Sequence, residues 1–354
     1  MTQQFKIFFI DDELNSSDET QANVRVDLVN QLNKDTRFNI IPYHPVDFIN
    51  QSTEAEIKTS PDLIIIDYKL SGGSNTQSER YHGTGYSMTS YCKERFADVP
   101  CYLVSQLIDD DVSVSEHYDK KLSHGFLTKQ IGRDTLASDC NAYRILKNYL
   151  TQYKNGQLII SALNVPAEEE NNLKIAIPSE FWNELALNEP QKIADRESIL
   201  IKFTKWINST LLIKRGPLIN SLELATLLGV TQDYFENGHI KNTPLKELFI
   251  EKRYTGIFHE SFPEKWWAQQ CYNVAIDILE GDGGAEPWKS IPTKMNIPQE
   301  HWSICPVCNK HYPETVATDK DSGQDFPCHW ACSTAGEFSD DIVGFEPQLY
   351  LDIE

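Results

Sequence analysis

Two sets of side chains in this 354-residue chain have the types and spacing to do chemistry. Near the end stand Cys305-Pro-Val-Cys308, then nineteen residues, then Cys328-His-Trp-Ala-Cys332. A C-x2-C pair turns the backbone so that two thiolates face one ion, and a second pair from a distant turn closes a tetrahedron, so the spacing points to Zn²⁺. Four thiolates leave no position for an activated water, and a zinc ion held by Cys305, Cys308, Cys328 and Cys332 is expected to be structural. His301, His311 or His329 in place of one cysteine, and a redox role for the C-x2-C pair, are the weaker alternatives. The second set lies in the N-terminal part. Asp11, Asp12 and Glu13 follow the apolar run Phe5–Ile10, Asp67 follows DLIII, Ser105 follows CYLV and Lys129 follows GFLT. In an open parallel sheet the residues just past the strands collect along one edge. Carboxylates gathered there repel unless a divalent cation separates them, and an oxygen-only ligand set suits Mg²⁺. A hydroxyl and an ammonium beside that ion would hold phosphoryl oxygens.

The elements that must position these residues alternate along residues 5 to 152. Short runs rich in Ile, Val and Phe read as strands near Phe5–Ile10, Phe38–Ile41, Leu63–Ile66, Cys101–Val104 and Gly125–Leu127. Stretches with helical spacing fall between them, at about 19–33, 46–57, 85–96, 112–121 and 134–152, which predicts an α/β domain with a parallel sheet.

In order and spacing, IFFIDDE, DLIIIDYKL, LVSQ and FLTK resemble the receiver domain of two-component response regulators, over about 40% of the chain. The resemblance implies a flavodoxin-like (βα)5 fold in which Asp67 is the phosphoacceptor. It further implies that Asp11, Asp12 and Asp67 bind Mg²⁺, that Ser105 and Lys129 bind the phosphoryl group, and that Phe126 is the aromatic switch. The sequence departs from the family pattern in several places. The glycine expected about eight residues after the phosphoacceptor corresponds to Gly85, eighteen residues on, so about ten residues are inserted around SGGSNTQSERYHG, as a lid, a docking element or a tolerated loop. Gln106 replaces a small residue, and Gln130 replaces the proline after the lysine. His82, His117 and His124 read as ordinary surface or core residues.

Beyond residue 153 the texture changes, and all seven tryptophans lie there. Residues 154–296 are expected to form a mainly helical output domain. Its signals are Asn220 with Glu223, Thr243 before Pro244, and Pro263 before a run that puts Trp267, Cys271, Val274 and Ile278 on one face. A β element near Leu158–Leu163 or Leu173–Ile177 is expected ahead of these helices, and Gly281, Gly283 and Gly284 to close the last one. Trp266 and Trp267 read as core. Residues 297–354, with two basic residues against eleven acidic from Pro298 on, form a small acidic module that resembles a zinc ribbon or treble clef.

A net charge of −20 opposes phosphate-driven binding, so nucleic acid is a disfavoured partner. The segment NSLELATLLGVTQDYFE at 220–236 nevertheless has helix-turn-helix spacing, and a DNA-binding regulator is the leading alternative. Its second helix carries Asp233 and Glu236, and residues 199–265 hold nine basic and seven acidic side chains. No apolar run is long enough to span a membrane and no leader is evident, which predicts a cytoplasmic protein. No hydrolase, zinc-protease, P-loop or paired-carboxylate signature appears in residues 154–354, so no enzymatic output is expected beyond phosphoacceptor chemistry at Asp67. The reading is a response regulator with Mg²⁺ and Zn²⁺ as cofactors. Its expected partners are a histidine kinase or phosphotransfer protein in trans, a downstream protein, and a second copy as a homodimer; a non-phosphorylated scaffold is the third alternative.

Overall fold

The computed structural model describes residues 4–15, 19–53, 59–70, 83–105, 118–153, 157–185, 193–240, 242–280, 286–319, 321–333 and 342–344. The chain divides into two compact units, residues 1–162 with 180–209, and residues 163–179 with 210–354. This differs from the division at 153 and 296 read from the sequence. A helical segment of the middle region returns to the first unit, and the cysteine module belongs to the same unit as the helices before it.

The first unit is built on β1 (Phe5–Ile10), α1 (Glu19–Asn33), β2 (Phe38–Tyr43), α2 (Pro45–Thr53), β3 (Leu63–Asp67), α3 (Gly85–Arg95), β4 (Cys101–Ser105), β5 (Lys120–Ser123), α4 (His124–Thr128) and α5 (Gln130–Gln152). The five strands are parallel in the order β2-β1-β3-β4-β5, the flavodoxin-like doubly wound arrangement. Central strands with both faces covered read as continuous apolar runs, and every residue of β3 and β4 is buried. Alternate residues serve opposite faces. Phe8, Ile10, Ile64, Ile66 and Leu103 pack with Phe48 of α2 and Met88 and Cys92 of α3. Then come α6 (Gln157–Leu163), α7 (Glu170–Ala176), which belongs to the second unit, α8 (Ser179–Leu185) and α9 (Ile193–Trp206), which packs on α5.

One expected strand is corrected. Gly125–Leu127 is helical, and the fifth strand is Lys120–Ser123, which pairs with β4 from Tyr102↔Lys120 to Ser105↔Ser123. The reason is a cap: Ser123 accepts a hydrogen bond from the Phe126 amide at 3.0 Å and starts a turn where the apolar run GFL alone suggested extension. Burial of Lys120, which donates to Asp139 at 2.8 Å, hides the strand as a polar run. Of the expected helix at 112–121, residues 112–117 lie outside the described residues and 120–121 belong to β5. The expected β element at Leu158–Leu163 or Leu173–Ile177 is likewise corrected, since both segments are mostly helical, in α6 and α7.

The second unit holds β6 (Leu218–Ile219), α10 (Ser221–Leu227), α11 (Gln232–Asn237), β7 (His239–Ile240), β8 (Thr243–Pro244), β9 (Trp266–Trp267), α12 (Ala268–Ile278) and α13 (Pro287–Lys294). Asn220 and Glu223 form a reciprocal capping box on α10, as their spacing predicts. Gly229 makes the turn to α11 at φ +72°, where a Cβ would also strike the Trp288 carbonyl. Thr243–Pro244 is a short strand followed by a 3₁₀ turn over Leu245–Lys252, and the run after Pro263 becomes helical only at Ala268. Trp266 and Trp267 are buried, and Cys271, Val274 and Ile278 pack on the core formed by Leu224, Leu228, Phe235 and Phe249. The closing role given to Gly281, Gly283 and Gly284 falls outside the described residues. The unit ends with β10 (Ile304–Cys305), β11 (Lys310–His311), β12 (Thr315–Asp319), β13 (Asp325–Cys328) and β14 (Ile342–Gly344), as one two-stranded and one three-stranded antiparallel sheet.

Candidate functional site

The strand order reverses between β1 and β3, and Ile10 is the register partner of Ile66. The residues one step further, Asp11 and Asp67, therefore emerge side by side at the crevice where doubly wound folds bind ligands. Asp12 joins them, and all three are buried, with one carboxylate oxygen of each lying within 4.8 Å of the others. Backbone amides orient two of the three. Glu13 N–H donates to Asp11 Oδ1 at 2.8 Å, and Lys69 N–H donates to Asp67 Oδ2 at 2.9 Å, leaving Asp67 Oδ1 turned the other way. Ser105 ends β4 one residue past Val104, the register partner of Asp67, and is buried.

The glycine at 85 is what lets α3 close on this crevice. A Cβ there would lie 2.7 Å from the Asp67 carbonyl oxygen and 2.9 Å from Tyr68 Cα, backbone atoms with no freedom to retreat. Gly85→Ala should therefore displace the Asp67–Tyr68 backbone and cost about 1–3 kcal/mol, seen as a lowered melting temperature together with weaker Mg²⁺ binding.

Lys129 is not where the resemblance put it. It follows α4, is exposed, and caps the start of α5. Phe126 lies half-buried within α4 instead of on strand 5. Both displacements follow from the corrected fifth strand. Among the described residues, Arg25 and His124 place basic side chains within 4 Å of Asp67 Oδ1, at 3.6 and 3.8 Å. Arg25 reaches in from α1. Its Nε lies 2.8 Å from Glu13 Oε2 and 3.1 Å from Asp11 Oδ2, and its Nη1 lies 2.7 and 2.8 Å from the two His124 ring nitrogens. Neither residue stood out in the sequence. Arg25 sits in mid-helix with nothing local to mark it, and His124 is displaced from any motif once GFLT is taken for the strand. Gln106 and the insertion around residues 71–82, with His82 and His117, lie outside the described residues.

Burial raises the Asp11 carboxyl to about 8, helped by Asp67 and opposed by Arg25 and the Glu13 amide. A carboxyl raised in the fold favours the folded state below its ordinary range, and that contribution is lost as the pH rises toward the raised value. The metal-free protein should accordingly lose thermal stability between about pH 4 and pH 8. A divalent cation held by Asp11, Asp12 and Asp67 would displace the proton, so adding Mg²⁺ should flatten that slope in melting curves.

A second cluster gathers the cysteines. Ligand atoms of Cys305, Cys308, His329 and Cys332 lie within 4.8 Å of one another. The β10–β11 turn, with Asn309 at φ +56° and its amide donating to the Cys305 carbonyl, folds Cys308 back beside Cys305. Burial opposes ionisation of Cys305, yet the amides of His329, Cys308 and Val307 aim at its sulfur and bring it down to about 6. His329 Nδ1 faces Cys308 Sγ at 3.3 Å while Nε2 lies 3.1 Å from the His311 carbonyl oxygen. A ring donating from Nε2 presents the Nδ1 lone pair to the sulfurs, the outer-shell arrangement of a metal-binding histidine. Cys328, expected as the fourth ligand, is a buried thiol that donates to the His329 carbonyl at 3.2 Å. Burial, followed by the neighbouring Cys305, pushes its pKa upward. Its sulfur also lies against that of Cys305, so Cys328 and His329 both stand beside the other three cysteines.

No protein-family model matches the chain, and no curated protein does. Sixteen chains of solved structures match it. One is RcsB from Salmonella enterica serovar Typhimurium bound to promoter rprA in the presence of phosphomimetic BeF₃⁻, at 12% identity over 56% of this chain and 99% of that one, with a TM-score of 0.26. Another is the Salmonella typhimurium RcsB response regulator studied for DNA interaction, at 10% identity over 54% and 98%, with a TM-score of 0.26. At these scores the likeness carries no argument by itself. Among the described residues no helix is long and apolar enough to cross a membrane.

Proposed function

We propose that the first unit is a phosphoacceptor receiver and that the chain is a response regulator whose output is a protein contact made by the second unit. The observation that supports this best is the placement of Asp11, Asp12 and Asp67, buried and converged at the switch point of a 2-1-3-4-5 sheet. The donor set fits Mg²⁺: three buried carboxylates offer oxygen only, and one guanidinium does not balance their full charge. When bound, Mg²⁺ supplies charge neutralisation for a transferring phosphoryl group. Asp11, Asp12 and Asp67 hold it, and the Lys69 amide fixes the Asp67 carboxylate for attack. An Asp67 oxygen forms the new O–P bond as the P–N bond of a donor phosphohistidine breaks, its electron pair returning to the imidazole nitrogen. Ser105, at the end of β4, is the hydroxyl placed to meet a phosphoryl oxygen.

The second unit contributes a structural zinc site. Cys305, Cys308, His329 and Cys332 would hold the ion, and no position is left for catalysis. The α10–α11 pair has helix-turn-helix spacing, but α11 is only six residues long, with Asp233 exposed and Glu236 paired with Lys246. Together with the net charge of −20, this favours a protein partner over DNA. A histidine kinase or phosphotransfer protein acts in trans.

A second reading is favoured by Arg25: a cation already seated among Asp11, Glu13 and Asp67 suits a receiver-like scaffold that never takes up phosphate. Incubation of the full chain with Mg²⁺ and acetyl phosphate, beside Asp67→Asn, separates the two. One added phosphoryl group by intact mass in wild type alone supports the phosphoacceptor; identical spectra from both proteins support the scaffold.

A further inference from the structure

A phosphoryl group on Asp67 needs a cation, and three lysines near the end of the sheet are paired with other groups or exposed. Lys120 is buried against Asp139, Lys121 lies over the Tyr68 ring at 5.1 Å, and Lys129 is exposed at the head of α5. Arg25 is different. Its side chain is 5% exposed, enclosed by Asp11, Glu13, Asp67 and His124, and its Nη2 stops 3.6 Å from Asp67 Oδ1, too far for a hydrogen bond. Phosphorylation extends Asp67 by a phosphorus and three acceptor oxygens, which would meet the guanidinium as it draws back from its place beside Oδ1. Guanidinium presents its donors as a planar fork that matches a phosphoryl group in two bonds at once. The His124 ring lies against the guanidinium, with its Nε2 3.8 Å from the same Asp67 oxygen.

We propose that Arg25, seated against His124, is the phosphoryl-binding cation of this pocket, in the part that the sequence resemblance gives to Lys129; this rests on the phosphoacceptor reading of Asp67. At rest the same guanidinium lies 3.1 Å from Asp11 Oδ2 and 3.6 Å from Asp67 Oδ1, on two of the three carboxylates that would hold Mg²⁺. Arg25 thus opposes the metal and favours the phosphoryl group, and its removal shifts the two affinities in opposite directions. A purely structural arginine would weaken both.

The test uses the full chain as wild type, Arg25→Gln, Arg25→Lys, His124→Ala and Lys129→Ala, each verified as folded by circular dichroism. Mg²⁺ is titrated by calorimetry, and beryllofluoride binding at saturating Mg²⁺ is followed by fluorine NMR. Arg25→Gln should bind Mg²⁺ at least as tightly as wild type and lose about tenfold to a hundredfold in beryllofluoride affinity, the worth of a charge-assisted hydrogen bond. Arg25→Lys keeps the charge without the fork and should fall between; it carries the test if the glutamine variant does not fold. His124→Ala should show a smaller loss of the same sign, and Lys129→Ala should match wild type. Wild-type beryllofluoride affinity in both Arg25 variants, or its loss in Lys129→Ala, overturns the proposal while leaving Asp67 as phosphoacceptor. Binding of Mg²⁺ but no beryllofluoride by wild type sinks the phosphoacceptor reading, and this proposal with it.

Discussion

Stripping the protein with a strong chelator should release one zinc ion per chain and unfold the segment from Ile304 to Ser333, leaving the α/β unit intact. The cluster it would leave behind is too small to stand alone, because Cys305, Ala317 and Cys328, with Cys308, Phe326 and Cys332 packed on them, make up its apolar core. Structural zinc contributes about 10–16 kcal/mol in isolated finger peptides near neutral pH, and even a fraction of that exceeds what this core supplies. Cys305→Ser should reproduce the chelated state. His329→Ala should lower zinc affinity sharply, whereas Cys328→Ala should keep the metal and lose only packing. Metal content by plasma emission, read beside protease sensitivity of the segment, decides the matter. Equal zinc in His329→Ala and wild type, with loss in Cys328→Ala, would return the site to four cysteines.

The second large effect lies under the sheet. Lys120 of β5 and Asp139 of α5 form an ion pair at 2.8 Å, both side chains at most 2% exposed, and the Tyr102 hydroxyl donates to the same carboxylate oxygen at 2.8 Å. Removing one partner leaves a buried charge without its counterion, which costs about 3–5 kcal/mol. Asp139→Ala should therefore lower stability by that amount in urea unfolding. The double replacement Lys120→Met with Asp139→Leu, which removes both charges, should recover most of it. Were residues 125–127 the fifth strand, Lys120 would lie in the connecting segment and Asp139→Ala would have little effect.

The first four strands were legible from their apolar runs, most plainly β3 and β4, where burial of every residue leaves little polar interruption. The fifth was not, since it spells KKLS and its lysine is buried by a partner nineteen residues away. Phe126 and Lys129, expected at the end of that strand, belong to α4 and the head of α5. Asp11, Asp12, Asp67 and Ser105 were legible because each directly follows or ends an apolar run, so position in the chain fixes position on the sheet edge. Arg25 reaches the pocket by the length of its side chain from a helix, and no local spacing predicts that. In the cysteine cluster the residue types pointed to a tetrahedral ion, while the choice between Cys328 and His329 depended on the direction of the strand that presents them.

The most direct measurement is the identity of the phosphorylated atom. Wild-type protein incubated with Mg²⁺ and acetyl phosphate, reduced with borohydride and digested, converts an aspartyl phosphate to homoserine at the modified position. The account predicts homoserine at position 67 and nowhere else, with none when Mg²⁺ is omitted. Homoserine at Asp11 or Asp12, or at no aspartate under conditions where Mg²⁺ binds, would contradict it.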